Sequence, residues 1–414
     1  MAQLNEDQIS ALKKLEGKQN VFLTGRAGTG KSFLVRHFLH GLNPDDAPVL
    51  ASTGAAAILL GGRTFHSFFG LGIMEGGTAK TVERSLRNPK NVKRIRRARM
   101  VLVDEVSMLS GETLAAAEQI SRLARNADEP WGGMRVIFVG DFGQLPPVTK
   151  RDERVDWAFT HEVWERSNLQ PAVLMQIMRT KEASWLDVLG KVREGICDAH
   201  VQNSLNERKL PVDEDFEATR LFPHRHTAEE YNLFRLDKLS GEATEIETEY
   251  KGEERAIETL KRQAPIPEKL LLKEGALVML RRNHQEGTYV NGSLAHVIRI
   301  TKDELTLELL DWGYEIELQK ESFDLYDGDG EVIASAKNFP LTLAYGSTIH
   351  KAQGTTLDRL VVDLRSLWEA GQAYVALSRV RSVEGLYLSG WTARSIKADP
   401  TVRNYYRAIE ESSI

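Results

Sequence analysis

Apolar residues in this chain come in short β-branched runs that end at glycine, threonine or acid, with amphipathic stretches between them. Val21-Phe22-Leu23-Thr24 predicts a buried strand, Pro48 to Ser52 a second, Met100 to Glu105 a third and Arg135 to Gly140 a fourth. Runs this short and this apolar suit a parallel sheet whose two faces are both covered by helices. Ahead of the first strand, Ile9, Leu12 and Leu15 recur at helical spacing, which predicts a helix starting at Asn5. Lys31 to Leu39 predicts another. Strands alternating with helices up to Leu145 make one doubly wound α/β domain.

The pattern then restarts. Thr219 to Pro223 reads as a strand and Thr227 as the cap of a helix through Phe234, the opening of a second domain of the same kind. Glu242 to Pro267 is acidic and mixed, with Pro265 and Pro267 marking a linker. From Leu270 to Leu325, short β-rich runs separated by turns such as Asn291-Gly292 predict a small barrel of about five strands inserted into the α/β domain. The parent pattern resumes at Leu341, with a strand over Arg359 to Leu364, a helix over Gln372 to Arg379 and a closing strand from Gly385 to Leu388.

Composition narrows the class. At 414 residues, 42% hydrophobic and 27% charged, the chain is that of a globular protein with two or three domains. No apolar run approaches the roughly 18 residues of a membrane span. The N-terminus is amphipathic and acidic without a signal-peptide core, so a cytoplasmic location is expected. Cys197 is the single cysteine, which excludes an internal disulfide and a cysteine-rich zinc site; His200, three residues on, reads as an ordinary helix residue. The net charge of −5 argues against coating nucleic acid by bulk electrostatics, although a narrow basic channel is compatible with it. The basic run from Lys90 to Arg99 reads either as a solvated helix face or as a small subdomain placed near nucleic acid.

The first strand leads into Gly25-Arg26-Ala27-Gly28-Thr29-Gly30-Lys31-Ser32, a G-x-x-x-x-G-K-[ST] loop in its required setting of strand, loop and helix. Gly28, Thr29 and Gly30 let backbone N–H groups curl around phosphate, Lys31 reaches the β and γ phosphates, and Ser32 holds Mg²⁺. The third strand ends in Asp104 and Glu105, suited to holding the metal and polarising the attacking water. The fourth is followed by Gln144 and a rigid Pro146-Pro147, so that Gln144 either senses the γ-phosphate or is a turn amide. Gln8 reads as an adenine reader or as a surface residue. Thr53 and Gly54 follow the second strand, and Thr64 to Gly70 is aromatic and glycine-flanked, a composition that suits base stacking as well as core packing. Ser347 to Gly354 gathers hydroxyls, imidazole, ammonium and amide within a few residues, an inventory for gripping phosphate and sugar oxygens. Arg281, Arg282 and Asn283 stand at a strand end of the barrel.

These residues resemble the Pif (petite integration frequency) family of superfamily 1B DNA helicases. The likeness rests on GRAGTGKS at 25 to 32, ASTGAAA at 51 to 57, TFHSFFG at 64 to 70, DEVSM at 104 to 108 and GDFGQLPPV at 140 to 148. It continues through LMQIMRT at 174 to 180, LAYGSTIHKAQGTTLD at 343 to 358 and YVALSRVRSVEGLYL at 374 to 388, in the family's order. The resemblance implies two RecA-like domains with ATP and Mg²⁺ between them and single-stranded DNA across both. On it, residues 1–70 and 98–180 form the first domain, 71–97 a wedge insertion, 181–269 and 340–414 the second domain, and 270–339 an SH3-like barrel. It implies Gln8 on adenine, Lys31 and Ser32 on phosphate and Mg²⁺, Asp104 on the metal, Glu105 as base and Gln144 as sensor. Arg179 and Arg379 would be arginine fingers from opposite sides of the cleft, although read alone they are surface ion-pair residues. Thr53, Gly54, Phe65, His66, Arg281, Thr348, His350 and Lys351 would touch DNA. Arg26, Thr180 and Tyr345 depart from the family's usual residues.

The expected function is ATP- and Mg²⁺-dependent 5′-to-3′ translocation on single-stranded DNA with unwinding of forked or G-quadruplex DNA, by a monomer without membrane attachment. Polarity rests on the resemblance alone. The rival is a nucleotide switch or assembly ATPase in which nucleic acid plays no part; Ser347 to Gly354 and Arg379 speak against it.

Overall fold

The computed structural model describes residues 4–411 except 73, 75–76, 148–153, 181, 214–215, 283, 285–287, 290, 311–312 and 327–330. The chain divides into two compact units, Met1–Met178 with Leu325–Ile333 and Pro400–Ile414, and Arg179–Asp324 with Ala334–Asp399. Both carry a parallel sheet, and the chain has the α/β architecture of a two-domain RecA-like protein.

In the first unit six strands run parallel: β1 (Val21–Gly25), β2 (Val49–Ala51), β3 (Arg63–Thr64), β4 (Met100–Asp104), β5 (Arg135–Gly140) and β6 (Gln170–Leu174), in the order β3-β2-β4-β5-β1-β6. Their side chains alternate between two cores, as a pleat of period two requires. Val21, Leu23, Leu102, Ile137 and Val139 face one layer with Ala11, Leu15, Leu34 and Val35 from the flanking helices. Phe22, Val101, Val103, Val136 and Phe138 face the other with Leu114, Ala117 and Ile120. Helix α1 (Glu6–Glu16) starts at Asn5, whose side chain accepts from the Gln8 N–H while the Gln8 side chain accepts from the Asn5 N–H, a reciprocal capping box.

Two sequence expectations change here. The segment 71–97 forms helices Gly77–Leu86 and Pro89–Arg97, and Val82 and Ile95 join the main core rather than forming a projecting subdomain. The C-terminal helix Pro400–Glu411, expected in the second domain, belongs to the first unit. Val402, Tyr406 and Ile409 fill the same core as Phe22 and Phe142, and Tyr405 stacks on Phe159 at 4.2 Å. A helix with one apolar face goes wherever that face is best buried, which its place in the sequence does not specify.

The second unit has a four-stranded parallel sheet in the order Gly346–Thr348, Thr219–Phe222, Leu360–Asp363, Leu386–Gly390. The helix after Thr219–Phe222 starts at Arg225, with His224 at the cap position, three residues before the expected cap. The inserted β-rich region is larger than expected at both ends. Glu315–Gln319, Glu304–Leu309, Leu294–Ile300, Leu277–Leu280 and Leu341–Leu343 form an antiparallel sheet in that order. The stretch expected as a linker is structured: Thr244–Glu247 pairs with Lys269–Leu272, Glu249–Gly252 pairs with Val332–Asn338, and Glu254–Gln263 is a helix. Ile246 is buried with Leu270 and Leu272, and this single apolar position among acids is what the composition concealed.

Candidate functional site

Strand β1 is buried along its whole length between β5 and β6, and it delivers the glycine loop to the carboxyl edge of the sheet. Gly25 is required there, since a Cβ would lie 2.5 Å from the Leu174 carbonyl oxygen. Gly30 has φ 86° and caps α2 (Lys31–Leu39) from the left-handed region, with Gln8 Nε2 filling the space a Cβ would take. The Lys31 ammonium donates to the Gly25 carbonyl at 2.7 Å and to the Arg26 carbonyl at 3.2 Å, so it lies across its own loop. Thr29 closes the turn by donating from its hydroxyl to the Arg26 carbonyl at 2.9 Å. Arg26 thus enters the loop through its carbonyl. Ser32 is exposed at the start of α2.

Gln8 is buried against this loop and its Nε2 donates to the Thr29 carbonyl at 3.4 Å. The amide keeps one further proton and one further lone pair for a partner. Next to it, an open cavity of about 650 Å³ is lined by Asn5, Asp7, Ile9, Met175 and Gln176 among others. Asp7 braces that wall by accepting from the Met175 and Gln176 N–H groups.

Register places the carboxylates beside the loop. Thr24 is opposite Gly140, and Ala51 is opposite Asp104, so the ends of β1, β2, β4 and β5 come out level. Asp104 is buried; burial raises its pKa, and the Glu105 N–H and the charges of Lys31 and Arg36 pull the other way. Glu105 follows with φ 53° and ψ 44°, a left-handed conformation that a β-carbon disfavours. Such strain, of order 1–3 kcal/mol, persists where surrounding structure imposes it and clusters at working sites. Gln144 is 5% exposed, and its Nε2 donates to Asp141 Oδ2 at 3.4 Å.

Arg179 and Arg379 lie together inside the second unit, which corrects the expectation that they come from opposite sides. Arg379 is 1% exposed, donating from Nε to the Val375 carbonyl and from Nη2 to the Ser378 hydroxyl, each at 2.7 Å. Arg179 donates to the Ser378 carbonyl. Burial and then the neighbouring Arg379 charge bring the Arg179 pKa down to about 9. Arg179 and Arg379 donate to oxygens of Val375 and Ser378, and their charges repel one another, so the pair is suited to receive an anion.

Among residues expected on DNA, Thr53 is exposed at the end of β2 and accepts from the Ala56 N–H, with Gly54 opening the helix Gly54–Leu59. Phe65 is fully buried at 4.8 Å from Phe69, so it is a core residue and not a stacking platform. His66 is half-buried, and burial lowers its pKa and keeps it neutral. The basic run is largely structural. Arg94 donates to the Ser67 and Phe68 carbonyls, Arg96 donates to the Ala124 carbonyl, and Arg97 pairs with Asp45. In the second unit Thr348 is buried and accepts from the Lys351 N–H, while His350 and Lys351 are exposed. Arg281 is 7% exposed, contrary to the expected exposed strand end, and its Nε has no partner among the described residues. Burial takes its pKa to about 10. The Lys351 pKa is lowered first by desolvation and then by Arg225, with Arg281 adding to it and Glu229 opposing. Asn283 lies outside the described residues.

Sequence reading missed Asp141, Arg225 and Tyr406. A buried Asp directly after a strand, in GDFGQ, is a signal that points to Asp141; Tyr406, far away in a C-terminal helix, gives none. The described residues include no helix long and apolar enough to cross a membrane.

The family described as PIF1-like helicase matches residues 3–199. The ATP-dependent DNA helicase Pif1 of Bdellovibrio bacteriovorus is 50% identical over 408 residues, covering 99% of this chain and 92% of that protein. A crystal structure of Bacteroides sp. Pif1 in complex with ADP-AlF4 is 27% identical with a TM-score of 0.87, over 100% of this chain and 98% of that one. Pif1 helicase from Bacteroides in complex with ADP-AlF3 and single-stranded DNA has a TM-score of 0.67 at 27% identity, over 99% and 98%. With its phosphate loop, acidic strand end and second-unit arginine pair in place, and a half-identical relative along nearly its whole length, the chain belongs to the PIF1-like helicases.

Proposed function

We propose that the activity of this PIF1-like helicase, ATP-driven unwinding of DNA with 5′-to-3′ polarity, is carried by Lys31, Glu105, Gln144, Arg179 and Arg379. The observation that carries the reading is the convergence at one sheet edge of a loop that folds around the Lys31 ammonium and the buried Asp104 carboxylate within its field. Lys31 leaves its loop carbonyls for phosphate oxygens when Gly28, Thr29 and Gly30 N–H groups take up the triphosphate. Gln8 reads the base edge from beside the cavity at the start of α1. Glu105, fixed in its left-handed conformation, orients and deprotonates the attacking water, and Gln144 senses the γ-phosphate. Arg179 and Arg379 neutralise charge that develops in the transition state; such groups are worth roughly 10³ to 10⁵ in rate in related NTPases.

Mg²⁺ fits the donor set: a serine hydroxyl and one carboxylate are hard oxygen ligands, and a cation relieves the burial of ionised Asp104. Bound there through Ser32 and Asp104, the metal supplies charge neutralisation at the phosphate oxygens. Thr53, Gly54, His66, Thr348, His350 and Lys351 grip the DNA backbone, and Arg281 lends its buried charge to the same anion. Phe65 acts only by supporting His66 from the core. The reading extends to forked and G-quadruplex DNA unwound by a monomer, on family likeness alone.

The test is ATP hydrolysis with and without single-stranded DNA. The expected result is strong stimulation by DNA in the wild type and loss of hydrolysis by at least about 10³-fold in Lys31→Ala. Absence of stimulation, or hydrolysis retained in Lys31→Ala, refutes the assignment.

A further inference from the structure

We infer that Tyr406 is a positioning residue for ATP hydrolysis, setting the base of the phosphate loop and the Gln144 loop with a single hydroxyl; the inference rests on the reading of Gln144 as the γ-phosphate sensor. Tyr406 stands on the C-terminal helix with 8% of its surface exposed. Its hydroxyl accepts from the Phe142 N–H at 3.0 Å, donates to Asp141 Oδ1 at 3.3 Å, and lies 2.9 Å from the Thr24 hydroxyl. A phenol has one proton and two lone pairs, so with Thr24 donating all three positions are filled.

The partners are the two strand ends that matter for the chemistry. Thr24 is the last residue before the phosphate loop, and Phe142 lies two before Gln144. Asp141 is fully buried; Oδ1 also accepts from the Gly143 N–H at 3.0 Å, and Oδ2 takes Gln144 Nε2. The Tyr406 proton therefore goes to the carboxylate whose other oxygen holds the Gln144 amide. Buried networks of this kind are rigid only while every member is satisfied. Removing the hydroxyl leaves the Phe142 N–H, the Thr24 hydroxyl and Asp141 Oδ1 each short of a partner in a site closed to water, and the Gln144 amide loses its fixed anchor.

Tyr406→Phe keeps the ring in the core, 5.7 Å from Tyr405, and deletes the hydroxyl alone. The expected result is a kcat for DNA-stimulated ATP hydrolysis lower by about tenfold and an ATP KM within about threefold of wild type, together with a lowered Tm, since each buried group left short of a partner carries a desolvation cost. In the Gln144→Ala background the same substitution slows hydrolysis by less than about twofold, because the two act through one chain of contacts. Unchanged kcat in Tyr406→Phe while Gln144→Ala is slow overturns the inference alone. Equal factors in both backgrounds overturn it also, by making Tyr406 a purely structural residue. Wild-type hydrolysis in Gln144→Ala overturns the sensor reading and the inference together. Should Tyr406→Phe not fold, Asp141→Asn leaves the helix and its packing in place and carries the same test, with the same expected non-additivity toward Gln144→Ala.

Discussion

Asp104 pays in stability for its place beside the phosphate loop. Its pKa is raised by burial, so between the ordinary carboxylate pKa and the raised one the folded chain holds a proton that the unfolded chain has released. The stabilising share of this group is complete below the ordinary pKa and is lost as pH climbs through the raised value, which makes the ionised form a burden at neutral pH. Asp104→Asn keeps the oxygen that accepts from the Glu105 N–H at 2.9 Å and removes the charge. Thermal unfolding at pH 7 is expected to move up by about 2–4 °C, for roughly 1 kcal/mol, while ATP hydrolysis is lost; a lower Tm sinks this account. Arg281 poses the complementary case of a buried cation whose Nε has no hydrogen-bond partner among the described residues. Arg281→Gln is expected to weaken binding of single-stranded DNA across sequences and to reduce the slope of log K against log salt by about 1. A slope equal to wild type would show that Arg281 does not meet the backbone.

At the scale of elements, the C-terminal helix is the piece whose place could not be anticipated. Tyr405 on it stacks on Phe159, receives a hydrogen bond from Trp164 Nε1 at 2.9 Å, and has its pKa pushed up by burial. Tyr405→Ala is expected to cost about 3–5 kcal/mol, by the yardstick of large aromatic truncations, seen as a lower urea midpoint with unchanged slope. A loss below 1 kcal/mol would mean that the helix is peripheral to the fold. Four of the six strands of the first sheet, β1, β2, β4 and β5, were legible in sequence because each is a short apolar run closed by a small or acidic residue, whereas β3, only Arg63–Thr64, and β6, which opens on Gln170-Pro171, carry no such run. The loop between β1 and α2 was legible because phosphate binding dictates its glycines and lysine. The strands at 244–252 were not, because one buried Ile246 among acids gives no periodic signal. The basic run at 90–99 misled in the other direction: Arg94 and Arg96 are spent on carbonyls of neighbouring segments, and charge in a sequence does not reveal its partners.

For the whole molecule, polarity is the property that neither charge nor spacing encodes, and it comes from the family. Unwinding of otherwise identical duplexes with a single 5′ or 3′ tail is expected to favour the 5′ tail; preference for the 3′ tail would reverse the assigned direction. Sequence by itself determined the α/β class, the nucleotide chemistry and the family, because strand periodicity and the phosphate loop are local patterns that fold the same way wherever they occur. Only the tertiary structure decided that Phe65 is core, that Arg179 and Arg379 share one unit, and that Tyr406 reaches the Thr24 strand end from 382 residues downstream and the Asp141 strand end from 265. Those outcomes depend on which apolar faces meet, and burial between segments distant in sequence leaves no mark at either one alone.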